Sequence, residues 1–193
     1  MNYEKDLYLM QQIYATIFAL ANKIQVKGDQ SLQILTSRQM MTMAAIIHLP
    51  GGKATYNNIA KKLGTTRQSV KQLIALMEKK GFVVTIPSEQ DKRASNVQIT
   101  ELGQKAILIC EGRSLGLITD IFSQFTTQDM EILWELLKKL YSYDGVEQDG
   151  FEENMDYGAK EPFMESQLQA NEKFKISRAK IEKEAKSFEK QIQ

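Results

Sequence analysis

The chain has 193 residues, enough for one domain with an extension or for two very small domains. Apolar residues make up 42% of it, charged residues 25%, and only three are proline, which excludes collagen-like, wholly disordered and disulfide-stapled classes. One cysteine, Cys110, and one histidine, His48, leave a zinc site short of ligands, and a formal net charge of +1 is uninformative about polyanions until it is divided along the chain.

The first segment, Glu4 to about Lys27, places Leu7, Met10, Ile13, Tyr14, Ile17, Ala21 and Ile24 at spacings of three and four, one apolar helical stripe. Gly28, Asp29 and Gln30 are expected to interrupt it. Thr36-Ser37-Arg38-Gln39 has the form of a capping box, with a second helix running to about Leu49 before the breaker Pro50-Gly51-Gly52. Thr55 caps a short helix that stops at Gly64. Thr65 or Thr66 caps the next, whose stripe Val70, Leu73, Ile74, Met77 ends at Gly81.

Two helices joined by so short a turn make a helix-turn-helix candidate. Phe82 to Ile86 is β-branched and aromatic, Pro87 to Arg93 is polar, and Asn96 to Thr100 alternates, which predicts a β-hairpin with a charged tip. Thr100 caps a long helical segment through Phe125, with Gly112 and Gly116 inside it as sites for a bend or a close crossing. Thr126-Thr127-Gln128-Asp129 caps a final periodic helix ending near Tyr143 to Gly145. Beyond it lie an acidic connector and, from about Phe163, a Lys/Glu-rich segment in which Phe174, Ile181, Ala185, Phe188 and Ile192 form a narrow stripe.

Charge is unevenly placed. Gly51 to Cys110 holds ten Lys or Arg against four acids, a balance of +6, and Ser142 to Ser166 holds eight acids against Lys160, a balance of −7. A hydrolase triad would have to use His48, whose neighbours Ile46, Ile47 and Leu49 belong to a packed helix end; no phosphate loop or metal spacing is present, so no enzyme, cofactor or metal is expected. No run of 18 apolar residues occurs and Met1 to Asp6 is polar, so a cytoplasmic protein with no membrane partner is expected.

The order helix, helix-turn-helix, hairpin is that of a winged helix, in which the second helix of the pair enters the major groove. Thr65, Thr66, Arg67, Gln68, Ser69, Lys71 and Gln72 begin that helix and combine hydrogen-bonding groups with cations, the types that read base edges or hold phosphates. Lys61, Lys62, Lys71, Lys92 and Arg93 would supply phosphate attraction, with Ser95 at the wing's return strand. The same residue types also occur on ordinary solvated helices.

The segment Asp91-Lys92-Arg93-Ala94-Ser95-Asn96-Val97-Gln98-Ile99-Thr100-Glu101-Leu102-Gly103 has the shape D-x-R-x-x-x-V-x-[LI]-T-x-x-G. With the preceding helix end Leu76-Met77-Glu78-Lys79-Lys80-Gly81-Phe82-Val83, it resembles the MarR family of bacterial and archaeal winged-helix transcription regulators. The resemblance spans roughly Asp6 to Tyr143. It implies a mainly α fold with a small β-hairpin wing, the winged helix embedded in a helical dimerisation domain. It also implies a homodimer on palindromic double-stranded DNA, a repressor relieved by a small-molecule effector, with Asp91 shaping the wing and Arg93 reaching the minor groove.

On that reading residues 1–35 form a dimerisation helix, 36–100 the DNA-binding lobe, 101–145 the C-terminal dimerisation helices and 146–193 an extension without counterpart in the family. The extension's acidic part either competes with DNA for the basic lobe or links the last helix to another surface; the linker is preferred. Tyr8, Tyr14 and Phe18, with Met40, Met41 and Met43, are expected as core, the alternative being an effector pocket. Cys110, beside Ile107, Leu108 and Ile109, is expected to be packed, since apolar surroundings suppress the thiolate an oxidant sensor needs. The rival readings are that oxidant sensor and a helical protein-interaction module that binds no DNA.

Overall fold

Five consecutive helices begin at threonine. In each, the Thr hydroxyl accepts the backbone amide three residues on: Thr36 from Gln39, Thr55 from Asn58, Thr66 from Ser69, Thr100 from Gly103 and Thr126 from Asp129. Each cap satisfies an amide the helix cannot, worth about 1 kcal/mol. Thr36 with Gln39 and Thr126 with Asp129 close full capping boxes, so most helix starts are written into the sequence.

A computed structural model describes residues 3–50, 53–87 and 95–146, together with Phe151 and residues 168, 171, 172, 174–176, 178 and 179. The order is α1 (Tyr3–Leu32), α2 (Ser37–His48), α3 (Tyr56–Lys62), α4 (Arg67–Lys79), β1 (Val83–Pro87), β2 (Ser95–Ile99), α5 (Glu101–Ile121), α6 (Thr127–Tyr141) and a 3-10 turn at Ser142–Asp144. The fold is mainly α with one antiparallel hairpin, paired from Val83 with Ile99 to Pro87 with Ser95. A bridge from Thr55 to Asn96, with the Val97 amide donating to the Ala54 carbonyl at 2.9 Å, ties the start of α3 to the wing. Of the expected stripe on the appended segment, Phe174 is described; Ile181, Ala185, Phe188 and Ile192 lie outside the described residues.

The largest fully buried side chains are Met43, Ile59, Val70, Ile74, Met77, Val97, Thr42 and Cys110, drawn from α2, α3, α4, β2 and the first half of α5. The core therefore sits inside the helix-turn-helix and wing lobe. Helix α6 buries no residue, and α1 buries only Gly28 and Leu32.

Helix α1 runs to Leu32, past the expected break at Gly28-Asp29-Gln30. Gly28 is required there for proximity: a Cβ would collide with the Ser37 hydroxyl, which donates to the Gln25 carbonyl at 3.1 Å, while the Ser37 amide donates to Asp29 Oδ1 at 2.6 Å. The end of α1 is thus fastened to the start of α2. The chain reverses at Gln33, which takes a left-handed φ of 63°. Helix α5 stops at Ile121, leaving Phe122 to Phe125 as the turn into α6 rather than part of the helix. It passes through Gly112 and Gly116 unbroken, and a Cβ on Gly116 would meet nothing within 4 Å, so no close crossing within the chain uses that glycine.

The aromatics expected as core do not pack inside this chain. Tyr14 is 68% exposed, and Tyr8 and Phe18 are also exposed, with Tyr14 and Phe18 stacked only on each other. Met43 is buried and Met40 packs on the core, whereas Met41 is exposed.

The T-x-x-G that closes the wing motif has a direct physical reading. Thr100 caps α5, its amide donates to the Phe82 carbonyl at 3.1 Å and its hydroxyl to the Gly81 carbonyl at 2.6 Å. Gly103 then passes beneath Phe82 so closely that a Cβ would strike the Phe82 carbonyl oxygen, a backbone atom that cannot swing aside. Gly103→Ala is expected to lower unfolding stability by about 2–3 kcal/mol, as overpacking against backbone does; a urea midpoint indistinguishable from wild type would show that the junction yields.

Candidate nucleic-acid interface

Helix α4 buries Val70, Ile74 and Met77, which turns Gln68, Lys71, Gln72 and Ala75 to the opposite, exposed face. Arg67 and the turn residues Thr65, Thr66 and Ser69 are exposed beside them. Of the two candidate caps, Thr66 is the one used, and its Oγ1 also lies 2.8 Å from Ser69 Oγ. That pair shares one hydroxyl hydrogen bond, so a single hydroxyl hydrogen is left to point outward. Arg67, Gln68, Lys71 and Gln72 are the long side chains of the exposed face.

Helix α4 carries one acid, Glu78, and the structure turns it away from that face: its Oε1 accepts the Thr85 amide of β1 at 2.8 Å. This bond fixes the wing to the end of α4. Tyr56 Oη, 3.2 Å from Thr85 Oγ1, fixes the same strand to α3. Lys53, Lys61, Arg67, Lys71, Lys79 and Lys80 are exposed, and among the described residues no carboxylate forms a salt bridge with them. The wing's Ser95 is half-buried opposite Pro87. Asp91, Lys92 and Arg93 lie outside the described residues.

Lys62 departs from expectation. It is only 7% exposed, its ammonium set 5.4 Å from the centroid of Phe151, so it is a packed cation rather than a surface one. Three further residues escaped the sequence reading. Tyr141, at the end of α6, donates to the Lys61 carbonyl at 3.5 Å with its ring against Gly64, which places the dimension of α6 in contact with the helix-turn-helix turn. Arg178 donates to the Phe125 carbonyl and, at 2.6 Å, to Thr127 Oγ1, and its charge joins the Thr126 hydroxyl and amide in holding Asp129 below the usual carboxylate range.

The third is Glu111, only 7% exposed, with Oε2 lacking a hydrogen-bond partner. Burial alone pushes its carboxyl up to about 7. Its neighbour Cys110 is fully buried and donates to the Leu32 carbonyl at 3.3 Å. Among the described residues, no three of His, Cys, Asp and Glu gather as a metal site, and no helix is long and apolar enough to cross a membrane.

The family model described as MarR family matches residues 35–94, the span from just before the α2 cap through β1, ending one residue short of β2. The Staphylococcus aureus MepR–DNA complex superposes with a TM-score of 0.61 at 25% identity, over 67% of this chain and 96% of that one. Over residues 35–94 the chain is similar to the MarR family. Other structural relatives agree in fold: the organohalide sensing RdhR transcriptional regulator in its 2,4-dichlorophenol bound form gives a TM-score of 0.61 at 17% identity, over 70% of this chain and 80% of that one. The transcriptional activatory protein BadR of Rhodopseudomonas palustris is 25% identical over 104 residues, 52% of this chain. The chain spans 59% of the length of that curated relative.

Glu111 yields a pH prediction. Its folded-state value lies above the ordinary 4.5, so the folded protein binds the proton more tightly than the unfolded chain, and stability falls as pH rises from about 4.5 through about 7. The shift corresponds to roughly 3 kcal/mol. Glu111→Gln is expected to be the more stable protein at pH 8 and to lose this part of the pH dependence; equal denaturation midpoints for both proteins at pH 5.5 and pH 8 would refute it.

Proposed function

We propose that this protein is a transcriptional regulator, not an enzyme, which binds a palindromic site on double-stranded DNA as a homodimer. The observation that carries the reading is the exposed, acid-free face of α4, with Arg67, Gln68, Lys71 and Gln72 beside a braced wing. Arg and Lys there neutralise phosphates, Gln side chains match the paired donor and acceptor edge of adenine, and Arg the acceptor pair of guanine. Asp91 shapes the wing tip and Lys92, Arg93 and Ser95 extend contact toward the flanking minor groove, whose negative potential favours a guanidinium.

The homodimer is supported by what α1 and α6 leave uncovered. Leu7, Met10, Ile13, Tyr14, Phe18, Trp134, Leu137 and Leu140 are exposed in the single chain, on helices with almost no burial of their own. A helix of this kind is marginal in water without a packed partner. Two lobes related by twofold symmetry then meet half-sites about one helical turn apart.

A small-molecule effector, as the dichlorophenol-bound relative carries, acts here by seating between the long helices and the lobe and favouring one spacing of the two α4 helices. Its influence is limited to its difference in affinity between the two spacings. We read the usual outcome as repression relieved by the effector. The curated relative is named as activatory, and the sign follows from where the operator lies relative to the promoter, a property of the DNA and not of the lobe.

The test is selection of bound duplexes from a random-sequence pool at low and moderate salt, which should enrich a palindrome. Arg93→Ala should weaken binding to all sequences and lower the salt slope by about one, whereas Gln68→Ala should mainly relax preference at one position in each half-site, at about 1–3 kcal/mol. Retention without enrichment would reduce the protein to a nonspecific binder, and no retention even at low salt would favour a protein-interaction module.

A further inference from the structure

Phe151, within the acidic extension, lies against the lobe. Phe151 is half-buried and packs against the same core as Ile47, Leu49 and Leu63, at the C-terminal ends of α2 and α3. Its ring meets the His48 imidazole edge-on, with centroids 5.1 Å apart and an interplanar angle of 83°, and Lys62 places its ammonium over the ring. The His48 ring is itself fixed, since Nδ1 donates to the Ala44 carbonyl at 2.8 Å. The chain arrives there from α6, whose last residue, Tyr141, already rests on Lys61 and Gly64.

Phe151 brings charge with it. Glu147, Asp149, Glu152 and Glu153 all lie within four residues of it, with no Lys or Arg among residues 147–155. Four residues span at most about 14 Å of chain, so these carboxylates are tethered near the end of α3 whatever path they take. The lobe from Thr36 to Thr100 holds ten Lys or Arg against three acids, a balance of +7, which the four tethered acids reduce to +3. At physiological salt a charge is felt over about 8 Å, so acids held on the lobe act on its field where the same acids on a free chain would not.

We propose that the ends of α2 and α3 form a docking surface for the chain's own acidic segment 147–153, anchored by Phe151, and that the docked segment weakens the lobe's attraction for polyanions. The aromatic supplies the anchor, His48 and Lys62 its seat, and the flanking carboxylates the effect. The proposal rests on reading the lobe as a polyanion-binding surface, and its test separates the two.

The full-length chain is compared with Phe151→Ala and Phe151→Leu, neither of which changes charge. The protein has one histidine, so the ring-proton resonances of His48 report seating of Phe151 directly. Retention on immobilised heparin reports the lobe's field independently of any operator. Phe151→Ala is expected to move the His48 resonances, to elute from heparin at higher salt and to bind random-sequence duplex DNA about three- to tenfold more tightly at low salt. Phe151→Leu, which keeps bulk but loses the ring, should fall between, and it decides the matter if the alanine variant does not fold.

Unmoved His48 resonances would overturn the docking, and moved resonances with unchanged heparin elution would overturn the electrostatic effect. Should His48 lose its ring-current shift on dilution of the wild type, the segment belongs to a second copy and the same-chain assignment fails. If no variant binds DNA while heparin elution shifts as expected, the docking stands and the regulator reading falls.

Discussion

The peptide between Phe82 and Val83 is where the three working parts of the lobe meet. The Phe82 amide donates to the Met77 carbonyl at the end of α4, its carbonyl accepts the Thr100 amide at the start of α5, and β1 begins one residue later. Gly103 is pressed against the same carbonyl. Helix α4, the wing and α5 therefore share one junction, through which a displacement of α5 reaches α4 and the wing together. A regulator that works by changing the distance between two reading helices needs such a coupling, since a compliant joint would absorb the displacement before it reached DNA.

Burial divides the chain in a matching way. The lobe closes its own core, whereas α1 and α6 carry apolar stripes that are exposed among the described residues. Tyr141 against the α3–α4 turn, Cys110 against the end of α1, and Ser37 against Gln25 and Asp29 are places where the two parts touch through side chains.

What the sequence made legible is local. Threonine caps, hydrophobic spacing and the glycine stops after α3 and α4 each act within a few residues, so helix starts and the wing are readable without any tertiary knowledge. The misreadings all depend on distant contacts. Gly28 looks like a helix stop, yet the structure uses its missing side chain to admit Ser37. Tyr8, Tyr14 and Phe18 look like core because periodicity registers an apolar face without saying which molecule covers it. Lys62 looks like a surface cation, yet it is buried with its ammonium over Phe151, a residue 89 positions further along the chain.

The near-zero net charge is best understood through the same separation. A lobe of +7 would bind any DNA, and nonspecific attachment scales with the phosphates neutralised regardless of sequence. Subtracting a fixed electrostatic contribution lowers specific and nonspecific affinity by the same factor, so the ratio that distinguishes an operator from the genome is preserved. On the proposed reading, occupancy of an operator then rests more heavily on the neutral hydrogen-bonding groups of α4, Gln68 and Gln72, whose contribution does not depend on salt. An acidic segment held against a basic lobe shortens the time spent on wrong sites without requiring a change in a base-reading residue.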